Sequence, residues 1–563
     1  METSVVGHRR MGLGLTKSEP RTGASALPRE RVLVYMALLV GLTLAVYGQV
    51  VTFDFVNFDD NAYVTENAHM RGPLSVDKVR WALTSGYYNN WHPLTWLSHM
   101  LDCRFFGLDP RWHHAVNLLF HVANVLLVFR LFSRTTGATG AAAFIAALFA
   151  VHPLHVETVA WISDRKDLLA TFFVLLALLA YGRYARRPSV GQYVAVMAAF
   201  AFAVMAKSMQ VTLPVILLLF DFWPLKRFHT EDGVIPSVRA IRLLLEKIPL
   251  FLIAGAASFA ALTLRTEQSL SSEYRVSTTV ISYVRYLFKF FWPVDLAVTY
   301  PVAREPFATW QVAGAAAVLI LITAVVVILR RRAPYLLTGW AWYLITLLPV
   351  SGIVQIGGHL FADRYTYWPL VGLYTFMVFP LRHVISRAQV PRRLVTAAAV
   401  VLIVVLAVPT WAQTRHWRDS LSLMDHCIGA TGGNALMYNN LGLAFFAQAR
   451  YAEAAERYRT SIQIDPAYAK ARYNLGIVQC SMGQYDEALG EFAHVIEMAP
   501  HAPQGRFGMA IAYACKGDYE RAFQYFGSAR AMMPADAAKP NSLADLLDAC
   551  GRSAEAERLR QSR

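Results

Sequence analysis

The sequence predicts an all-α protein in two parts: a polytopic bundle of membrane-spanning helices, then an α-solenoid of tetratricopeptide-type repeats. Three observations predict it. Apolar runs of spanning length recur between Arg31 and Trp411. Only 16% of the chain is charged and 56% is hydrophobic, against about 25% charged in an ordinary soluble protein. After Met437 the chain repeats itself every 34 residues.

Taken in order, residues 1–30 are a polar, basic tail, expected in the cytoplasm. The first apolar run is too long for a signal-peptide core and is read as a retained helix. Residues 31–411 hold eleven candidate spans: Val32–Val51, Ala115–Phe132, Ala141–Val156, Leu168–Arg183, Val190–Ala206, Val211–Trp223, Ile248–Leu264, Val312–Leu329, Tyr335–Val354, Thr366–Leu381 and Leu394–Trp411. The stretch VSTTVISYVRYLFKFFWPVDL is apolar but carries Arg285 and Lys289, and is expected to lie at the interface or re-enter. The loops GRYARRP, LKRFHTEDGVIPSVRAIRLLLEKI, RRRAPY and LRHVISRAQVPRR are dense in Arg and Lys. With the N-terminus inside and eleven spans, all four fall on the cytoplasmic side. The net charge of +15 is thereby accounted for. No basic face with interleaved aromatics appears, so nucleic acid is not an expected partner. Five cysteines, an odd number, do not read as a disulfide framework.

Residues 415–563 form the repeat domain. Leu441, Leu475, Met509 and Leu543 share a register; so do Gly442, Gly476, Ala510 and Ala544, and Ala454, Ala488, Ala522 and Ala556. Tyr458, Phe492 and Phe526 follow the alanines by four, and Pro466, Pro500 and Pro534 close three units. Small residues let two helices cross closely, the aromatic fills the gap, and proline ends each second helix. Arg560 breaks the aromatic column, as suits a polar capping helix, and HWRDSLSLMDHCIGA reads as a leading half-unit. Such an array offers a concave surface to a peptide or protein, or serves as a plain stalk.

On this topology four polar clusters converge on the outer side: Asp59 with Asp60; VHPLHVETVAWISDRKD, holding His152, His155, Glu157, Asp164, Arg165, Lys166 and Asp167; ADRYTYWP, holding Asp363, Arg364 and Tyr365; and His114, Asn117, His121 and Asn124, spaced for one helix face. Ionisable residues at membrane depth mark functional sites by default. Blander roles stand beside each: interhelical hydrogen-bonding for the His–Asn stripe, interfacial anchoring for Arg165 and Lys166, helix capping for the aspartates. A divalent metal on His152, His155 and a carboxylate is a further option, without a strict ligand motif to support it. Carboxylates and cations together at an outer surface fit a lipid-phosphate sugar donor. The lipid stays in the bilayer, Arg or Lys meets the phosphate, and one aspartate takes the acceptor's proton. The result is a single-displacement, inverting transfer.

FVNFDDNAYVTEN, WHPLTWLSHMLDCRFFGLDPRWHHAVNLLFHVANVLL, HPLHVETVAWISDRKDLLA, VTLPVILLLFDFWPL and ADRYTYWPL, in this order and followed by the repeats, resemble the transmembrane-and-tetratricopeptide protein O-mannosyltransferases, and more closely their bacterial relatives. The resemblance implies a C-type glycosyltransferase fold and a polyprenyl-phosphate sugar donor. It makes Asp59 and Asp60 the catalytic pair. It carries the H-P-x-H-x-E segment onto His152, Pro153, His155 and Glu157, and the donor-phosphate R-Y pair onto Arg364 and Tyr365. AKSMQ keeps Lys207 but departs from the lysine–glutamate form of animal members. The expected partners are that donor, a protein or peptide acceptor, and the bilayer. The expected place is a bacterial inner membrane with the repeats in the periplasm. Two readings compete: transfer to a glycan or lipid acceptor, and a non-catalytic scaffold recruiting partners through its repeats, against which eleven spans and buried carboxylates argue.

Overall fold

The computed structural model describes residues 29–228, 237–263, 272–301, 307–352, 361–533, 542–549 and 552–561. The expected tail, apart from residues 29 and 30, lies outside them, and so does Pro534. Every regular element among the described residues is helical.

The membrane part runs α1 (Arg29–Tyr47), α2 (Val76–Thr84), α3 (Pro93–Phe106), α4 (Pro110–Thr136), α5 (Thr139–Val151), α6 (Val156–Ala160), α7 (Arg165–Tyr184), α8 (Val190–Ala206), α9 (Leu213–Phe222), α10 (Ser237–Leu245), α11 (Ile248–Thr263), α12 (Ser272–Phe291), α13 (Thr309–Leu329), α14 (Pro334–Leu347), α15 (Leu370–Arg387) and α16 (Arg392–Thr414). Each expected span falls on one of these helices. The count of eleven is a different matter. Among the described residues, by length and composition, five helical stretches can cross a bilayer, and seven if two bent pairs each count as one. Crossing about 30 Å takes about 20 helical residues. The 17 residues of α8 and the 10 of α9 fall short because the chain breaks into short 3₁₀ turns at one end of the bundle. Thr139–Val151 likewise bends by 58° into Pro153–Ala160. These breaks are where the polar motifs sit.

The stretch with Arg285 and Lys289 is the single helix α12. It buries Tyr283, Tyr286 and Lys289 and exposes Val276, Phe288 and Phe291. It is tied down by Thr279 Oγ1 to Ser351 O (2.7 Å), Tyr283 OH to Leu344 O (2.7 Å) and Tyr286 OH to Ala362 O (3.0 Å). α14 and α15 cross at Gly339 and Gly372, where a Cβ on Gly339 would lie 2.6 Å from the Gly372 carbonyl oxygen. Only glycine permits that approach.

α17 (Ser420–Thr431) leads into the repeat helices α18 (Ala435–Ala447), α19 (Tyr451–Ile464), α20 (Ala469–Ser481), α21 (Tyr485–Met498), α22 (Gln504–Lys516), α23 (Tyr519–Ala531), α24 (Leu543–Ala549) and α25 (Ser553–Gln561). The columns read from sequence are contacts: a Cβ on Gly442 would come 2.7 Å from the Tyr458 ring, and one on Gly476 2.6 Å from Phe492. The array's base is fastened to the membrane part. Asp54 N donates to Arg418 O (3.0 Å), Asn57 N to Ser420 Oγ (2.8 Å) and Val298 N to the Cys427 thiol sulfur (3.5 Å).

Candidate functional site

The broken helix ends gather at the end of the bundle where the repeats attach. Asp59 and Asp60 lie six and seven residues beyond Phe53, on the loop after α1, and behave differently. Asp59 adopts φ +67°, a left-handed conformation that aspartate tolerates better than most residues but that still costs about 1–3 kcal/mol. The residue is half-buried, beside Tyr63 and Tyr88, whose phenols are pushed up by burial and by its charge. Asp60 is buried. Its Oδ1 accepts from Ser163 N (3.0 Å) and Ser163 Oγ (2.5 Å), and its Oδ2 from Val56 N (3.0 Å). Burial raises its pKa to about 7, against the pull of these hydrogen bonds. Asp60 makes no side-chain cap bond to the short helix that follows. The carboxylate instead spans to the N-terminal side of α7.

Trp161 is the platform of the site. Its indole N–H donates to Phe58 O (2.8 Å), on the aspartate loop. Lys166 Nζ lies 4.9 Å from its ring centroid and the Arg364 guanidinium 5.3 Å, close enough for cation–π attraction. Lys166 also stands over Tyr63 at 5.0 Å and donates to Ser163 O (3.0 Å). Arg364 donates to Glu157 Oε1 (2.5 Å), while its backbone N–H meets Glu157 Oε2 (2.9 Å). Lys207 pairs with Asp167 (2.5 Å) and lies over the Tyr365 ring at 5.6 Å. Asp59, Asp60, Glu157, Lys166, Lys207, Arg364 and Tyr365 therefore form one cluster. Beside it Asp164 is buried with neither carboxylate oxygen hydrogen-bonded, 3.5 Å from Lys166.

Other expected residues sit elsewhere. Arg165 is fully buried, and its guanidinium is engaged by Asp102, Asn117 Oδ1 (2.7 Å), His113 O (2.7 Å) and Ser98 Oγ (3.3 Å). It holds α3, α4 and α7 together, and a phosphate would have to displace protein partners to reach it. His152 bonds Phe290 O (3.1 Å) and accepts from Leu154 N (3.3 Å); His155 bonds the Tyr374 hydroxyl (3.1 Å). His152 is thus committed to helix packing, while His155 keeps a buried Nδ1 without a hydrogen-bond partner. The His–Asn stripe does the same work: His114 to Asp54 O, Asn117 to Trp161 O, His121 and Asn124 to the Tyr367 hydroxyl. Trp161 and Ser163 were not anticipated. A lone tryptophan beside S-D-R-K was the available signal.

A small hollow opens between this cluster and α17, lined by Glu157, Val298, Asp363, Trp417, His426 and Cys427. Membrane part and repeat array thus share a wall.

Residues 106–244 match the family model described as dolichyl-phosphate-mannose-protein mannosyltransferase, and residues 442–483 match that of the TPR repeat. Among curated relatives, the chain is 25% identical over 496 residues to the Homo sapiens protein O-mannosyl-transferase TMTC1, covering 77% of this chain and 55% of that protein. It is 22% identical over 449 residues to the Caenorhabditis elegans protein O-mannosyl-transferase F38B6.6, covering 77% and 63%. Over 148 residues identity to the Mus musculus protein O-mannosyl-transferase TMTC2 reaches 36%, covering 25% and 18%. The chain thus spans little more than half the length of the relatives it matches most broadly.

Proposed function

Starting from a chain that is a relative of the transmembrane-and-tetratricopeptide O-mannosyltransferases, we propose that it is a membrane glycosyltransferase moving a sugar from a polyprenyl-phosphate donor to a protein hydroxyl. The observation that carries this reading is the cluster itself. A carboxylate loop, Lys166 and Arg364 meet around Trp161, next to the attachment of the repeats.

Asp59 is the base. It is the accessible member of the pair, and its strained backbone holds the carboxylate out of the packing that consumes Asp60. Asp60 is the positioning residue, fastening the loop to Ser163. The Asp59 carboxylate takes the acceptor hydroxyl's proton. The acceptor oxygen bonds to the sugar's anomeric carbon as the carbon–oxygen bond to phosphate breaks. Polyprenyl phosphate leaves, its charge met by Lys166 and Arg364, and configuration at that carbon inverts. Because a lipid phosphate is a good leaving group, no general acid is needed. The repeats hold the acceptor on the donor's side. In a bacterial cell that side is the periplasm, with the basic loops in the cytoplasm.

The test uses the full-length protein in lipid, radiolabelled polyprenyl-phosphate sugars and a membrane-protein extract. Label entering protein, and lost in Asp59→Asn, supports the proposal. Label entering only lipid or glycan overturns the acceptor. No donor consumption by folded protein overturns the transferase and leaves a scaffold.

A further inference from the structure

Behind the cluster, in the hairpin of α3 and α4, three side chains face one another without a conventional explanation. His99 and Asp102 lie one turn apart on α3, and His113 lies in the first turn of α4. One potential ligand atom from each falls within 4.8 Å of the other two. All three side chains are buried.

Their hydrogen bonding is incomplete in an informative way. His113 Nε2 faces Gly107 O at 3.0 Å. A carbonyl only accepts, so this nitrogen carries a proton, and Nδ1 points the other way. That nitrogen has no hydrogen-bond partner and stands 3.6 Å from Asp102 Oδ2, the oxygen that also accepts from Arg165. His99, fully buried, has no partner on either nitrogen. Leaving a buried donor or acceptor unpaired costs about 1–3 kcal/mol each. A cation among the three would use one orphaned nitrogen from each histidine. The outer partners are already present. Gly107 O orients His113, and Arg165 bonds Asp102; metal-binding histidines and carboxylates characteristically carry such partners.

We propose that His99, Asp102 and His113 bind one borderline transition-metal ion, zinc first among them. Two imidazoles and a carboxylate suit zinc; magnesium and calcium prefer all-oxygen shells. Zinc bonds of about 2.0–2.1 Å in tetrahedral geometry separate ligand atoms by about 3.4 Å, close to the 3.6 Å found for Asp102 and His113. The ion would clamp α3 to α4. Its effect would reach the cluster through Asp102, Arg165 and Asn117, whose amide donates to Trp161 O at 2.9 Å. The site is distinct from the His152–His155 pair and does not depend on the proposed transfer activity.

The test is metal content by mass spectrometry of full-length protein purified in detergent through a tag without histidines, followed by cobalt(II) titration of the chelator-treated protein. One equivalent of zinc, and a visible cobalt band, are expected. His99→Ala and His113→Ala should raise the metal Kd by about 100-fold or more, Arg165→Lys by about tenfold, and His494→Ala in the repeats should change nothing. His99→Cys should keep the metal and add a sulfur-to-cobalt charge-transfer band, a signature that packing alone cannot produce. The proposal fails if folded wild-type protein takes up neither zinc nor cobalt stoichiometrically. It fails too if both alanine variants keep the metal. Should those variants misfold, the wild-type titration and the charge-transfer band decide.

Discussion

Two polar clusters cap opposite ends of α7, about 24 Å apart at 1.5 Å per residue from Arg165 to Tyr181. At the far end Tyr181, Asp221, Arg227, Glu246 and Lys247 close on themselves. The Tyr181 hydroxyl meets both Asp221 oxygens (2.7 and 2.6 Å) and Glu246 (2.9 Å). Arg227 spans Asp221 and Glu246 (3.1 and 2.8 Å), and Lys247 does likewise (3.0 and 2.8 Å). Two acids face two bases, and none of these side-chain atoms is left unpaired. At the near end the carboxylates outrun their partners: Asp164 meets Lys166 only at 3.5 Å, Asp59 is half-buried, and Lys166 and Arg364 lean on aromatic faces. Both clusters are costly in an apolar bundle. The closed one returns that cost as architecture. On the proposed reading, the open one keeps interactions in reserve for the donor.

Four measurements would break or sharpen this contrast. The largest effect belongs to Asp59→Asn, expected to cut sugar transfer by about 10²–10⁴-fold with an unchanged melting temperature. If Asp60→Asn shows that pattern and Asp59→Asn does not, the roles of the two aspartates are reversed. Next, Asp221→Asn or Lys247→Met strips one charge from the closed cluster and should destabilise the fold by about 3–5 kcal/mol. Donor KM in the remaining folded fraction should hold; a changed KM would make this end functional too. Third, Arg364→Lys keeps the charge but loses the guanidinium fork, and should raise donor KM by about ten- to a hundredfold, worth about 1.5–3 kcal/mol, with less change in kcat. An unchanged KM would remove Arg364 from the phosphate.

The smallest effect is a pH slope. Burial lifts the Asp60 pKa from 3.8 to about 7. Between those values the folded protein holds a proton that the unfolded chain has released, so stability falls as pH rises through this window and levels off above it. Thermal melts from pH 5 to 8 should show that decline, and Asp60→Asn should flatten it. A slope that persists in the variant would place the titrating group elsewhere.

The architecture was legible where a pattern repeats. Apolar runs and the 34-residue columns gave the helices and the glycine–aromatic crossings of the array, because both depend on local periodicity. The membership of the site was legible in part, from charged residues standing in apolar company. Pairing was not. Arg165 and Lys166 are adjacent in sequence, yet a turn of about 100° on α7 sends one into a web of packing and the other over Trp161. Asp59 and Asp60 part in the same way through a single positive φ. The closed cluster escaped notice because its five members come from segments up to 66 residues apart, and no local signal joins them.

The attachment of α17 to the loop of Asp59 has a metrical consequence. Asn57 and Ser420 are hydrogen-bonded, so the array and the proposed base share one frame. On the proposed reading, a polypeptide gripped at a given repeat would present its hydroxyl at a set number of residues from that grip. The array would then act as a ruler, and adding or deleting one 34-residue unit would move the modified position along the acceptor rather than abolish modification.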